Sequence, residues 1–477
     1  MTDKRKIKAD LIVIGAGAAG LSAAAGAAML GLKVVLYEKA AMGGDCLNHG
    51  CVPSKALLSA AKHVAMMNDA PKFGVRPTGY EVDWPAVKAH VQKSIDTIAP
   101  VDSQERFEGL GVTVIREAAA FSDPRTIISG TTIATGRRII IATGSTPFVP
   151  AIPGLLEAPF LTNEQIFEIP SLPTRLIILG GGPIGLEMAQ AFRRLGSEVT
   201  VIEMDRALAR ADRAHAALAV DVLRSEGIEI LEGHKAVRVS ASTGEIVVET
   251  ESGQEMVSVK GSHLLVALGR QAVTEGLALE QGGVDYNRHG VIVTDKLKSV
   301  SNARVWALGD IAGQGQFTHL AGWHASVFTR RALFKQSSRA SDLPLPSVTY
   351  LSPEVAQLGL TEEDARARFG AGVTTSVFKF AENDRAIAED KTLGEAKLII
   401  RKGKLLGASI IGEGAGEIIQ LVSVAMSNGL NVQALTNFIS PYPTRAEIVK
   451  RAASAHFTST VFGRTSRLLV GLLQRIP

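Results

Sequence analysis

The feature that most constrains this chain is a segment that returns after 165 residues. Leu11-Ile-Val-Ile-Gly15-Ala-Gly17-Ala-Ala-Gly20-Leu21 matches Leu176-Ile-Ile-Leu-Gly180-Gly-Gly182-Pro-Ile-Gly185-Leu186, and Leu30-Gly31 matches Leu195-Gly196. Each copy continues into a β-rich run, Val34 to Tyr37 and Val199 to Ile202, which ends in an acid, Glu38 or Glu203. Each copy therefore reads as strand, glycine turn, helix of three to four turns, second strand and carboxylate. The first glycine permits the tight turn, the second lets backbone approach a pyrophosphate, and the third lets helix and strand pack closely. The helix N-terminus offers free N–H groups to the phosphates, and the acid accepts from a ribose diol. Two such copies in register predict two bound dinucleotides. In the second, Glu203 repels an added 2′-phosphate and Gly185 allows close packing, which favours NADH; Arg206 and Arg210 leave NADPH as the alternative.

The 477 residues allow two to four domains, and 46% apolar with 21% charged residues is a globular balance. The net charge of +4 comes with no long basic run carrying interleaved aromatics, so no nucleic-acid partner is expected. The apolar stretch Leu11 to Ile14 runs into the glycine turn and reads as a first strand, not a signal peptide. No apolar run approaches the ~18 residues of a membrane span. The expected location is cytoplasmic.

Only two cysteines occur, in Gly44-Asp45-Cys46-Leu47-Asn48-His49-Gly50-Cys51-Val52-Pro53-Ser54-Lys55. A bridge closing so short a loop stabilises little, so a redox couple is the better reading. In a regular helix, Cα atoms five residues apart lie roughly 8.6 Å from each other, beyond the ~6.8 Å limit for a disulfide. A break or delayed helix start is therefore expected near His49-Gly50, before Pro53 joins the first full turn.

With the doubled fingerprint, the CxxxxC followed by Val52-Pro53-Ser54-Lys55, and Leu308-Gly309-Asp310 after an apolar strand, the sequence resembles the class I pyridine nucleotide-disulfide oxidoreductases. These include dihydrolipoamide dehydrogenase, glutathione reductase and mercuric reductase. The resemblance runs from about Asp10 to Ala455. It implies FAD in the first fold, held by Gly15, Gly17, Gly20, Glu38, Lys39, Gly44, Lys55, Ala119, Asp310 and Ala321, and a nicotinamide nucleotide in the second, at Gly180, Gly182, Gly185 and Glu203. Thr143-Gly144 and Gly269-Arg270 would close the two folds. It further implies a hydride passing from NADH to the flavin, then reduction of a Cys46–Cys51 disulfide through Cys51, with Cys46 meeting the substrate. Lys55 would pair with Glu187 near the flavin's reactive nitrogen.

The chain also departs from its relatives. Where disulfide-reducing members place His-Pro-Thr-x-x-Glu, this chain has Ser440-Pro441-Tyr442-Pro443-Thr444-Arg445-Ala446-Glu447. Tyr442 replaces the histidine and pairs by position with Glu447. A phenol of ordinary pKa about 10 is a poor base near neutrality, which disfavours oxidising a dithiol. Tyrosine here is similar to mercuric reductase, supported by Phe317-Thr318-His319-Leu320-Ala321-Gly322-Trp323. Yet the chain ends Gln474-Arg475-Ile476-Pro477 without that enzyme's terminal cysteine pair. His49 is three residues from Cys46 and could share its helical face, though a solvent-facing role is commoner; His319 and His324 read as structural or flavin-contacting. The basic, apolar stretch Arg464 to Arg475 reads as a helix packed on the C-terminal domain, or as a weak membrane-surface contact.

The expected fold class is α/β: two Rossmann-like FAD- and NAD(P)-binding domains plus an α+β dimerisation domain. Residues 1–145 and 271–340 would bind FAD, 146–270 NAD(P), and 345–477 would form a homodimer. The expected function is FAD-dependent NAD(P)H oxidation with electrons passing to a metal-ion, quinone-like or small disulfide acceptor; no resident metal is expected. The rivals are a dihydrolipoamide dehydrogenase with an atypical Tyr-Glu dyad and a slow FAD redox sensor.

Overall fold

The computed structural model describes residues 4–476. These form two compact units, one of residues 4–180, 191–202 and 235–342, the other of 181–190, 203–234 and 343–476. The stretch 146–270, read above as one nucleotide-binding domain, thus contributes to both.

The chain begins β1 (Arg5–Ile14), α1 (Ala18–Met29), β2 (Val34–Tyr37), α2 (Gly44–Asn48) and α3 (Cys51–Asp69). Four strands follow: β3 (Thr113–Ile115), β4 (Ala120–Asp123), β5 (Thr126–Ile128) and β6 (Thr132–Ile141). Then come β7 (Ser145–Pro147), β8 (Phe160–Leu161), β9 (Arg175–Leu179), α4 (Pro183–Leu195), β10 (Glu198–Glu203) and α5 (Arg213–Ser225). A meander of β11 (Lys235–Ser242), β12 (Glu245–Ser252) and β13 (Glu255–Gly261) leads to β14 (His263–Val266), β15 (Arg270–Ala272), β16 (Val305–Ala307) and α6 (Thr318–Phe328).

In the first unit seven strands form one sheet in the order β3–β2–β1–β6–β5–β4, with β16 also pairing with β6. Strands β3, β2, β1, β6 and β16 run parallel. Leu11 to Ile14 are buried throughout, as a parallel strand covered on both faces requires. The small residues Ala19, Gly20, Ala23, Ala24 and Ala27 give α1 a buried face that can sit close to the sheet. A second parallel set runs β10–β9–β14–β8. Leu176 lies opposite Val199 as Leu11 lies opposite Val34, so the sequence repeat is also a repeat of strand register.

The second unit contains a five-stranded antiparallel sheet in the order β17 (Pro346–Thr349), β18 (Glu354–Gly359), β21 (Lys404–Gly412), β20 (Glu395–Arg401) and β19 (Thr374–Lys379). Helices α7 (Ala415–Ser427) and α8 (Glu447–Val461) bury Ile418, Val422, Ile448 and Val449 in a core with Leu398, Ile400 and Ile410 of that sheet. Helix α5 belongs to this unit for a polar reason. Asp212 caps it by accepting from Ala214 N, and both its carboxylate oxygens lie 3.0 Å from buried Lys397 Nζ. His215 Nδ1 meets Ser409 Oγ at 2.7 Å. The terminal helix α9 (Arg464–Leu473) buries none of its residues, and Leu468, Leu469, Leu472 and Leu473 stand exposed. Among the described residues no helix is long and apolar enough to cross a membrane.

Candidate active site around Cys46 and Cys51

The two glycine turns are built alike down to single hydrogen bonds. Gly15 N donates to Tyr37 O at 2.8 Å and Gly180 N to Ile202 O at 2.8 Å. Both first glycines have a left-handed φ, +104° and +110°, and a Cβ there would lie 2.3 Å from Ala142 O and 2.4 Å from Ala267 O. The two acids are held by backbone amides. Glu38 Oε2 accepts from Ala16 N at 2.7 Å and Oε1 from Ala40 N at 2.7 Å. In the second copy Glu203 accepts from Gly181 N at 2.7 Å and Asp205 N at 2.8 Å.

From the first turn the chain passes directly to the cysteines. A Cβ on Gly44 would lie 2.7 Å from Gly17 Cα, so the start of α2 abuts the first glycine turn. The helix breaks where expected: α2 ends at Asn48, and α3 begins at Cys51 after His49 and Gly50 leave helical geometry. A Cβ on Gly50 would lie 3.0 Å from Asp45 O and 3.3 Å from Cys46 Cα, so glycine lets the second helix fold back on the first. The two cysteines are free thiols, Cys46 half-buried and Cys51 exposed.

Their environment splits the pair. Accepting a hydrogen bond from the Cys46 thiol is the largest influence on Cys51, which is pulled down to about 6. Thr318 and the Lys55 charge act in the same direction, against desolvation and Asp45. Cys46, the donor and partly buried, is pushed far up. The dithiol thus concentrates its negative charge on Cys51, the reactive form of a thiol. Lys55 Nζ, one turn along α3, reaches Ser54 Oγ at 3.4 Å. Thr318 Oγ1, at the first position of α6, lies 3.4 Å from Cys51 Sγ.

Thr318 was not singled out by sequence, although it sits inside the quoted Phe317–Trp323 motif. Nor were Asp45, Ser145 and Asn163. Arg270, expected at the closure of the second fold, directs its guanidinium to Asp45 at 3.2 Å, Ser145 Oγ at 2.7 Å, Ser145 O at 2.8 Å and Asn163 Oδ1 at 3.3 Å. Asn163 Nδ2 in turn donates to Asp45 Oδ1 and His49 O. Ser145 Oγ donates to Asp310 Oδ2 at 2.6 Å, and burial first of all raises that carboxyl. No local periodicity signals this network, because its members come from five separate segments.

The other expected residues are placed as follows. Ala119 and Ala321 are buried, and Thr143 Oγ1 donates to Val273 O. Gly144 and Gly269 take left-handed φ. Gly185 is buried in α4 and Lys39 is exposed. Glu187, only 4% exposed, accepts from Tyr350 N at 2.9 Å. Buried His324 accepts from Gly309 N at 3.1 Å, which leaves its other nitrogen carrying the proton with no hydrogen-bond partner. Desolvation lowers this imidazole to about 4. His319 stacks on Phe317. On the single chain Tyr442 is 71% exposed and donates to Asp384 Oδ2 at 2.9 Å. That hydrogen bond, then the Asp384 and Glu447 charges, raises the phenol above its ordinary value. Glu447 itself is held by Arg451.

Residues 9–325 match the pyridine nucleotide-disulphide oxidoreductase family, and residues 345–453 match its dimerisation domain. The chain belongs to this family. It is 36% identical over 465 residues to a mercuric reductase of Streptomyces lividans, covering 95% of this chain and 97% of that one. It is also 36% identical over 467 residues to a dihydrolipoyl dehydrogenase of Thermus scotoductus, covering 94% and 97%. Among solved structures it is similar to the HOCl-induced flavoprotein disulfide reductase RclA from Escherichia coli in its Cu(II) complex, with TM-score 0.82 and 27% identity over 93% of this chain and 99% of that one. Family membership makes the chain a flavoprotein oxidoreductase using FAD and a pyridine nucleotide, and its C-terminal domain supports a homodimer.

Proposed function

We propose that this flavoprotein uses NAD(P)H to reduce a thiophilic acceptor through Cys46 and Cys51, a soft metal ion foremost and a quinone-like compound or small disulfide within the same reach. The observation that carries this reading is the state of Tyr442. Donating to Asp384 and raised above its ordinary value, it stays protonated near neutrality and does not serve as the base that a dithiol substrate needs. A metal ion bound by thiolates needs no such base. Two adjacent sulfurs, one held as thiolate, are a soft two-ligand site. The names of the mercuric reductase relatives and of the Cu(II)-bound neighbour support the same class; the dihydrolipoyl dehydrogenase relative supports the rival.

The residues present fit both nucleotides. FAD would be held by the Gly15–Gly20 turn, Glu38, Lys39, Gly44, Lys55, Ala119, Thr143, Gly144, Asp310 and Ala321. The nicotinamide nucleotide would be held by Gly180, Gly182, Gly185, Glu203, Gly269 and the backbone of Arg270. FAD, when bound, supplies a two-electron carrier between nicotinamide and sulfur. Glu203, fixed by two backbone amides, presents its charge where a 2′-phosphate would sit and so favours NADH. Lys55, with Glu187 as its proposed partner, and Thr318 keep Cys51 anionic, while Cys46 takes the acceptor. The balance closes: NAD(P)H and one proton convert the disulfide to the dithiol. The dithiol then passes two electrons to a divalent metal ion, releases two protons and re-forms the S–S bond. We retain the functional division at 1–145 with 271–340, 146–270 and 345–477, and a weak membrane-surface role for α9.

The test is turnover of FAD-loaded protein with NADH or NADPH against Hg(II), Cu(II), oxidised glutathione, a quinone and, in reverse, dihydrolipoamide with NAD⁺. Metal-dependent oxidation of NAD(P)H supports the reading. Dihydrolipoamide oxidation outpacing every other reaction near pH ~8 sinks it.

A further inference from the structure

One cavity of the first unit has no part in the chemistry above. It encloses about 610 Å³ and is lined by Arg137, Arg138, Lys296, Lys298, Arg304, Arg331 and Lys335, with Ala303, Trp306 and Ala332 completing the wall. Seven cations line it and not one carboxylate. Among the described residues none of the seven forms an ion pair. Arg331 and Lys335 spend single donors on the carbonyls of Ser338 and Ala332. The acid that reaches Arg138 is Asp10, outside the lining, and its carboxylate already accepts from Lys33 N. Burial first, then the neighbouring charge of Arg137, holds the Arg138 guanidinium below its ordinary value. Like charges crowded against a low-dielectric wall repel one another and focus a strong positive potential into the cleft.

The place in the fold separates this cavity from the dinucleotide turns. Arg304 immediately precedes β16, whereas Leu308-Gly309-Asp310 leaves its other end. Arg138 lies opposite Leu11 on β1, three residues before Ile14 and the Gly15 turn. Arg138 thus stands roughly 10 Å along the sheet from the carboxyl end of β6, and Arg304 at the amino end of β16, both set back from the carboxyl ends where such folds bind nucleotides.

We propose that this cavity is a second anion site that binds a chain of condensed phosphates, three or more in a row, as in inorganic tripolyphosphate or the phosphate tail of a nucleoside triphosphate. One orthophosphate cannot answer seven cations, whereas a short chain brings several charges into one cavity. Four of the seven are arginines, whose planar forks suit phosphate oxygens two at a time, and the volume is that of a small-ligand pocket.

The experiment is calorimetric titration of the FAD-loaded, full-length protein with tripolyphosphate, ATP and orthophosphate at roughly 50 and 300 mM KCl. Expected are one tripolyphosphate per chain, an affinity at least about tenfold above that of orthophosphate, and weakening at the higher salt. The double variant Arg138→Gln with Arg304→Gln should weaken tripolyphosphate binding by about tenfold or more, with FAD content and melting temperature retained. The control Lys72→Gln with Arg76→Gln, outside the cavity, should leave it unchanged. ATP against tripolyphosphate tells a nucleotide source from an inorganic one. No saturable binding, or binding indifferent to the cavity variant, overturns the proposal. So does tighter binding of a short single-stranded oligonucleotide than of tripolyphosphate.

Discussion

Arg270 places its guanidinium 3.2 Å from the carboxylate of Asp45, the residue just before Cys46, with side chains 11% and 35% exposed. Strand β15 pairs antiparallel with β7, setting Arg270 opposite Pro147 and so above Ser145. From there one side chain ties the cysteine segment, the Ser145 turn and Asn163 together. Removing it leaves a partly buried carboxylate next to the redox pair. Arg270→Met should cost about 1–3 kcal/mol of stability and raise the lower thiol pKa, because Asp45 already opposes the Cys51 thiolate. Thermal unfolding and thiolate absorbance of the reduced variant check both parts. Unchanged values in both would deny the bracket any role.

Cys51 at about 6 predicts that the reduced enzyme carries a thiolate across neutral pH. Anaerobic addition of one equivalent of NADH should produce a long-wavelength thiolate–flavin absorbance that fades as pH falls below about 6. Cys51→Ser should abolish this band, whereas Cys46→Ser, which has no disulfide to reduce, should show it before NADH is added and lose it afterwards. Thr318→Val removes a hydroxyl 3.4 Å from the sulfur and should shift the fade-out upward by about one pH unit.

Tyr442 acts as a donor and not as a base, so Tyr442→Phe should leave the shape of the pH profile for metal reduction unaltered between about pH 6 and 9. Tyr442→His supplies an imidazole of ordinary pKa about 6.5. It should raise dihydrolipoamide oxidation by about tenfold or more. Steady-state rates for both substrates across that range decide the matter.

Buried His324 gives the fold a definite acid sensitivity. Its imidazole sits at about 4 when folded, against about 6.5 in an unfolded chain. Between these values the unfolded state binds the extra proton, so stability is full above about pH 6.5 and is lost progressively as pH falls toward about 4. The loss attributable to this group is on the order of 3 kcal/mol. Asparagine can still accept from Gly309 N without titrating, so His324→Asn should flatten the pH dependence of chemical denaturation over that window. An unflattened curve would assign the effect to other groups.

Much of this was legible in the linear chain because it is locally encoded. The glycine turns, the strand before each and the acid after each lie within one βαβ stretch, so spacing alone carries them, and the parallel register of β1 with β2 returns at β9 with β10. The helix break between Cys46 and Cys51 followed from helix geometry and disulfide reach. The resemblance to the family came from these same motifs.

What the sequence could not determine depends on segments far apart meeting in space. Arg270 turned toward Asp45 because the β7–β15 pairing sets residue 270 opposite residue 147, two positions from Ser145, and no periodicity records such a pairing. Thr318 reaches Cys51 across 267 positions. The seven cations of the second cavity come from β6, the segment leading into β16 and the chain following α6, so each looks in sequence like an ordinary surface charge. Local chemistry sets turns and helix ends over a few residues. Only the folded chain decides which side chains share a dielectric environment, and that sharing sets where the charge of the thiol pair resides.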